Sequence, residues 1–147
     1  MAGVTSSGEV AETSYAHDPE LPANHTVLVV DDSPTVRKLV AMTLEKRGYR
    51  VVTAFDGVAA IKEIAAQKPG LVLMDCNMPR LDGYQLCKLV KKHDSTRHIP
   101  VVMLSGKDGM FDRLRGKLVG CAGHIPKPFV PEALAEAVAQ YLSSPVE

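Results

Sequence analysis

Five side chains in this sequence have types suited to chemistry on an anion: the adjacent carboxylates Asp31 and Asp32, a third carboxylate Asp75, the hydroxyl of Ser105 and the ammonium of Lys127. Tens of residues separate most of them, so no local geometry brings them together. Each stands at or just beyond the end of a short apolar run, however. That placement matters if the runs are neighbouring parallel strands, because open α/β sheets bind ligands outside the carboxyl ends of their strands. Three carboxylates collected there repel, by about 4 kcal/mol for a pair 4 Å apart at an effective dielectric near 20, unless a cation or proton intervenes. Oxygen-only ligands with room for water favour Mg²⁺ over zinc, and Mg²⁺ typically serves a phosphate group. In such a site Lys127 could neutralise one phosphoryl oxygen and the Ser105 hydroxyl could donate to another. Asp75, between them, could attack phosphorus in line.

The elements needed to position this set are visible. From residue 26, β-branched apolar runs alternate with amphipathic stretches, and Thr26–Val30, Arg50–Ala54, Leu71–Asp75, Val101–Leu104 and a short His124–Pro126 read as five strands. Between and after them apolar residues recur at helical spacing. The sets are Val36, Leu39, Val40 and Leu44; Val58, Ile61, Ile64 and Ala65; Leu86, Leu89 and Val90; Phe111, Leu114 and Leu118; and Leu134, Ala137, Val138, Tyr141 and Leu142. Ser33-Pro34 resembles an N-cap followed by proline at the first helical position, Gly48 a helix stop, Asp56-Gly57 and Asp82-Gly83 turns that start helices, and Pro131 the opening of the last helix. Strands such as Val27–Val30 and Leu71–Met74 are apolar on both sides and need helices over both faces. The expected fold is therefore α/β, a (βα)5 doubly wound parallel five-stranded sheet.

Taken in order, these features resemble the receiver domain of bacterial two-component response regulators, the CheY-like family with its flavodoxin-like fold. The likeness runs over residues 26–143 and rests on Asp31-Asp32, on Met74-Asp75-Cys76-Asn77-Met78-Pro79-Arg80-Leu81-Asp82-Gly83, on Ser105-Gly106 and on Lys127-Pro128-Phe129. It implies that Asp75 is the phosphoacceptor, charged from a phosphohistidine on a sensor histidine kinase or histidine phosphotransfer protein. It implies Mg²⁺ bound directly by Asp32, Asp75 and the backbone carbonyl of Asn77, with Asp31 acting mainly through water. Ser105 and Lys127 would take phosphoryl oxygens, and the Lys127–Pro128 peptide would be cis. Output would pass through a changed protein-binding surface to a downstream protein target. His124 stands where receivers commonly carry Tyr or Phe, at the switch and partner surface. The segments Ser105–Arg113 and Arg115–Cys121 further resemble regulators of chemotaxis-like systems controlling type IV pili and twitching motility.

Other readings meet specific obstacles. For the aspartates the ordinary alternative is solvated strand-end acids, which Ser105 and Lys127 argue against. An Asp-nucleophile phosphohydrolase lacks a second acid two residues after Asp75, where Asn77 stands, and a nucleotide-binding module lacks a phosphate loop after the first strand. A degenerate receiver serving as a scaffold conflicts with the intact acidic set. Cys76 reads as a small buried hydrophobe.

The remaining features bound the setting. With 147 residues, 46% hydrophobic, the chain fits one globular domain with an appendage. The 17 Lys and Arg balance 17 Asp and Glu, which excludes generic electrostatic nucleic-acid binding, and no direct nucleic-acid contact is expected. No apolar run approaches the ~18 residues of a membrane span, and no signal sequence opens the chain, so a soluble cytoplasmic protein is expected. Three cysteines without C-x-x-C spacing suggest neither a disulfide framework nor a zinc site. Residues 1–25 hold four of the 17 acids (Glu9, Glu12, Asp18, Glu20) and no Lys or Arg, and read as a flexible acidic extension, with a short docking segment as the alternative. Residues 26–143 form the receiver-like domain and 144–147 a C-terminal tail, and no second output domain is expected to follow.

Overall fold

Each of the first three helices begins where a short polar side chain caps it, at the exit of a β-strand. In the structure, a computed structural model describing residues 25–76, 78, 82–106 and 119–143, Ser33 accepts a hydrogen bond from Val36 N at 3.2 Å and opens helix α1 (Pro34–Glu45). Asp56 accepts from Ala59 N at 2.8 Å and opens α2 (Gly57–Gln67). Asp82 opens α3 (Gly83–Lys92) with a reciprocal capping box, taking Gln85 N at 2.9 Å while the Gln85 side chain accepts from Asp82 N at 3.0 Å. Each cap satisfies donors that a helix start leaves without intrahelical partners and is worth about 1 kcal/mol. Gly48, at φ 93°, adopts the left-handed conformation that lets the chain leave α1 and enter the next strand.

Five parallel strands, β1 (Thr26–Val30), β2 (Arg50–Ala54), β3 (Leu71–Asp75), β4 (Val101–Ser105) and β5 (Gly123–Pro126), form one sheet in the order β2-β1-β3-β4-β5. The expected parallel α/β sheet is thus the one observed. Two strands are each one residue longer than expected: Ser105 pairs with Pro126, and Gly123 pairs with Val102. The sheet order reverses between β1 and β3, and the crevice beside the ends of those two strands is where ligands bind in sheets of this type.

Alternating residues of the strands feed two cores. Leu28, Val30, Val72, Met74, Val101 and Met103 pack under α2 and α3, with Ala60, Ile64, Leu86 and Cys87. Val27, Val29, Leu71, Leu73, Val102 and Leu104 pack on the other face under α1 and the C-terminal helix α4 (Pro131–Ser143), with Val40, Leu44, Leu134 and Val138. All of β1 from Val27 onward, and all of β3 and β4, is buried. Fully burying each such aliphatic side chain contributes about 1.5–3 kcal/mol, so the central strands form a stiff base for whatever stands at their ends. Among the described residues no helix is long and apolar enough to cross a membrane. The fourth expected helix (Phe111, Leu114, Leu118), the extension at residues 1–24, the tail at 144–147 and Asn77 lie outside the described residues.

Candidate functional site

The chain leaves the buried β1 at Asp31, whose backbone N–H donates to Ala54 O at 3.2 Å and prolongs the ladder towards β2. The Asp31 side chain is fully buried, so its charge must be met by protein donors. One carboxylate oxygen accepts from Ser33 N at 2.9 Å, the other accepts from Lys127 Nζ at 2.9 Å, and the Arg37 guanidinium donates to the Asp31 main-chain oxygen at 2.7 Å. Asp32, the next residue, turns outward and is exposed.

Asp75 closes β3 and is buried, with one carboxylate oxygen 3.5 Å from Lys127 Nζ. Its strand end is held on both sides. Cys76 N donates to Leu104 O at 3.1 Å, tying the exit of β3 to β4. The first turn of α3 crosses close above: a Cβ at Gly83 would lie 2.6 Å from the Asp75 carbonyl oxygen and 3.2 Å from Met103 Sδ. Only glycine allows that approach. Cys76 itself is buried and its sulfur accepts a hydrogen bond from Tyr84 Oη at 3.3 Å, which matches its reading as a packed residue.

Ser105 ends β4 and is buried, and its carbonyl oxygen accepts from Lys127 N at 2.6 Å, so the β4 and β5 exits are joined through their backbones. The Lys127–Pro128 peptide is cis. His124 lies on β5 in register with Met103 and is half-buried, on the sheet face opposite buried Ile125.

Carboxylate oxygens of Asp31, Asp32 and Asp75 lie within 4.8 Å of one another. Burial works against the charge of Lys127, but its hydrogen bond to Asp31 and the charges of Asp75 and Asp31 outweigh it and hold its pKa above the usual lysine value. One ammonium among three carboxylates leaves the cluster formally short of positive charge. The donor set fits a hard divalent cation: the oxygens are all carboxylate, Asp32 is exposed, and water has access. Asp31 already accepts from two N–H donors.

Asp31, Asp32, Asp75, Ser105 and Lys127 thus all stand at the carboxyl edge of the sheet, and Lys127 reaches across β1 and β3. His124 is set further down β5. Two supporting groups escaped sequence reasoning. Arg37 touches the site through a backbone carbonyl six residues away, which no motif signals, and Gly83 was read as a helix start without its contact to Asp75.

Comparison with known proteins agrees with this geometry. The sequence profile described as the response regulator receiver domain matches residues 27–139. Protein PilG of Pseudomonas aeruginosa is 43% identical over 118 residues, covering 80% of this chain and 87% of that protein. The alkaline phosphatase synthesis transcriptional regulatory protein PhoP of Bacillus subtilis is 38% identical over 108 residues, 74% of this chain, which spans only 44% of that relative's length. Among solved structures, a response regulator of Chloroflexus aurantiacus superposes with a TM-score of 0.78 at 33% identity, over 82% of this chain and 99% of that one. Chemotaxis protein CheY4 of Vibrio cholerae does so with 0.77 at 34% identity, over 81% and 99%.

Proposed function

This chain belongs to the response regulator receiver family, and on that premise we propose that it is a phosphorylation switch in which Asp75 accepts a phosphoryl group. The observation that carries the reading is the Lys127 ammonium placed between the buried carboxylates of Asp31 and Asp75, with Asp32 exposed beside them.

The donor is a phosphohistidine on a sensor histidine kinase or a histidine phosphotransfer protein. An Asp75 carboxylate oxygen attacks phosphorus in line; the new O–P bond forms as the N–P bond breaks, and the departing imidazole takes up a proton. Asp32, Asp75 and the Asn77 carbonyl would hold Mg²⁺, with Asp31 acting through water, and the ion would neutralise charge on the phosphoryl oxygens. Lys127, already 3.5 Å from Asp75, needs only a small movement to pair with a phosphoryl oxygen. The Ser105 hydroxyl, at the end of the neighbouring strand, donates to another. Asn77, two residues beyond the acceptor, orients or excludes attacking water.

The switch follows from the same connections. Lys127 and Ser105 share a backbone hydrogen bond, so a shift of either moves the exits of β4 and β5 together. His124, half-buried on β5, reports that shift to a partner at the surface. The output is a protein–protein interaction with a downstream target, without direct nucleic-acid contact. The resemblance of Ser105–Arg113 and Arg115–Cys121 to chemotaxis-like regulators of type IV pili supports a place in such signalling, and a phosphohistidine donor on a kinase or phosphotransfer protein supports a cytoplasmic setting. Residues 26–143 form the receiver unit, flanked by the acidic extension and a short tail.

Intact-protein mass spectrometry after incubation with a small phosphodonor, with and without Mg²⁺, tests the reading. A single base-labile phosphoryl adduct that needs Mg²⁺ and is lost in Asp75→Asn is expected. Absence of the adduct with both the small donor and a histidine-phosphorylated protein would overturn it in favour of a scaffold.

A further inference from the structure

Away from the acidic edge, helices α2 and α3 leave an apolar groove between them. It has a volume of about 290 Å³, is floored by Ile61, Ile64, Leu86 and Leu89, and is closed at one end by Lys68 and by residues 93–96 after α3. Ile61 and Leu89 are 42% and 37% exposed. The surroundings are predominantly basic. Helix α3 carries exposed Lys88 and Lys92 and no acid, α2 adds exposed Lys62 beside half-buried Glu63, and the exposed Asp94 after α3 pairs with Arg97 at 3.4 Å.

The described chain begins beside one end of this groove. Thr26 O, at the start of β1, accepts from Gly70 N at 2.8 Å, two residues from the groove-lining Lys68. The 24 residues that precede His25 are therefore tethered there, and among them are Glu9, Glu12, Asp18 and Glu20, no Lys or Arg, and apolar residues including Val10, Tyr15 and Leu21. From His25 back to Glu20 an extended chain spans about 17 Å, comparable with the length of about 16 Å of an 11-residue helix such as α2. The acids can thus reach the whole lysine rim. A short tether holds such a segment at an effective concentration in the millimolar range.

We propose that residues 1–24 of this chain dock on its own α2–α3 groove, their acids on the lysine rim and their apolar side chains over Ile61 and Leu89. The interaction is largely electrostatic at its rim and weakens with salt, since charges separated by more than about 10 Å are screened at 0.1 M. It covers a face remote from the acidic site and is independent of the phosphorylation chemistry.

Zero-length carbodiimide cross-linking of the full chain tests this, using an equal mixture of isotopically light and heavy protein and peptide mapping. Docking predicts light–light and heavy–heavy links from Glu9, Glu12, Asp18 or Glu20 to Lys62, Lys68, Lys88 or Lys92. These should exceed links to Lys38 and Lys46, near α1 on the opposite face, by about fivefold. The exposed double substitution Lys88→Glu/Lys92→Glu should also lower the yield at Lys62 and Lys68, as should 0.5 M salt (about 4 Å screening length). Mixed light–heavy links would assign the groove to a second copy, and links spread evenly over Lys38, Lys46 and the rim would mean an undocked tether. Either result, or no link from the extension at all, overturns the proposal.

Discussion

Replacing Lys127 by methionine removes the ammonium that pairs with a fully buried Asp31 carboxylate while keeping most of the side chain's volume. At an effective dielectric of 20 the attraction is worth about 6 kcal/mol at the 2.9 Å separation from Asp31 and about 5 kcal/mol at the 3.5 Å separation from Asp75. The cost of burying the ammonium offsets much of this. Taking one partner from a buried pair costs about 3–5 kcal/mol net, because the remaining charge is left uncompensated. Lys127→Met should therefore lower unfolding stability by that amount in chelator at pH 7. Asp31→Asn alone should cost about 1–3 kcal/mol, since Lys127 keeps Asp75 as a partner. Because the two residues share one hydrogen bond, the double variant should be less destabilised than the sum of the single variants by about 2 kcal/mol. The protein has no Trp, so urea titrations followed by circular dichroism are the natural assay. Loss of less than about 1 kcal/mol in Lys127→Met, with simple additivity in the double variant, would refute the view that this ion pair supports the strand ends.

Further expectations concern the supports of the site and the titrating groups. Gly83→Ala puts a methyl 2.6 Å from the Asp75 carbonyl oxygen, and should cost about 1–3 kcal/mol in urea unfolding and slow phosphoryl uptake; wild-type stability would show that α3 can retreat freely. The raised pKa of Lys127 means that the folded state holds its proton more tightly than the unfolded chain. Its stabilisation is complete below the unfolded value near 10.4 and declines as pH rises through the higher folded value. The stability gap between wild type and Lys127→Met should narrow above that pH, and a widening gap would contradict the sign. Burial, and then Cys121, push the Cys87 thiol up to about 12. Its alkylation by iodoacetamide at pH 8 should be at least about a hundredfold slower in native protein than in urea, and similar rates would show an accessible thiolate.

The central strands were legible because burial on both faces forces continuous apolar runs, and the edge strand Arg50–Ala54 because its middle is β-branched. Thr26–Val30, Arg50–Ala54 and Leu71–Asp75 stand with the bounds expected of them. Ser105 and Gly123 escaped their strands because neither is apolar, and their membership comes from pairing with Pro126 and Val102. The caps at Ser33, Asp56 and Asp82 were readable because capping needs a particular side-chain type at a particular step. The site was legible only once topology placed the strand ends together: Asp31 and Lys127 lie 96 positions apart, and nothing between them encodes their contact locally. What stayed hidden depends on three-dimensional approach, namely the Gly83 contact with Asp75 and the groove between α2 and α3.

Everything proposed for the switch depends on Asp75 carrying the phosphoryl group. Borohydride reduction of the phosphorylated protein converts an aspartyl phosphate to homoserine at the residue that bore it, and peptide sequencing by mass spectrometry then locates it. Homoserine is expected at position 75 alone, formed only after phosphodonor treatment. Homoserine at position 31 or 32, or aspartate unchanged at 75 in a protein that has gained phosphate, would contradict it.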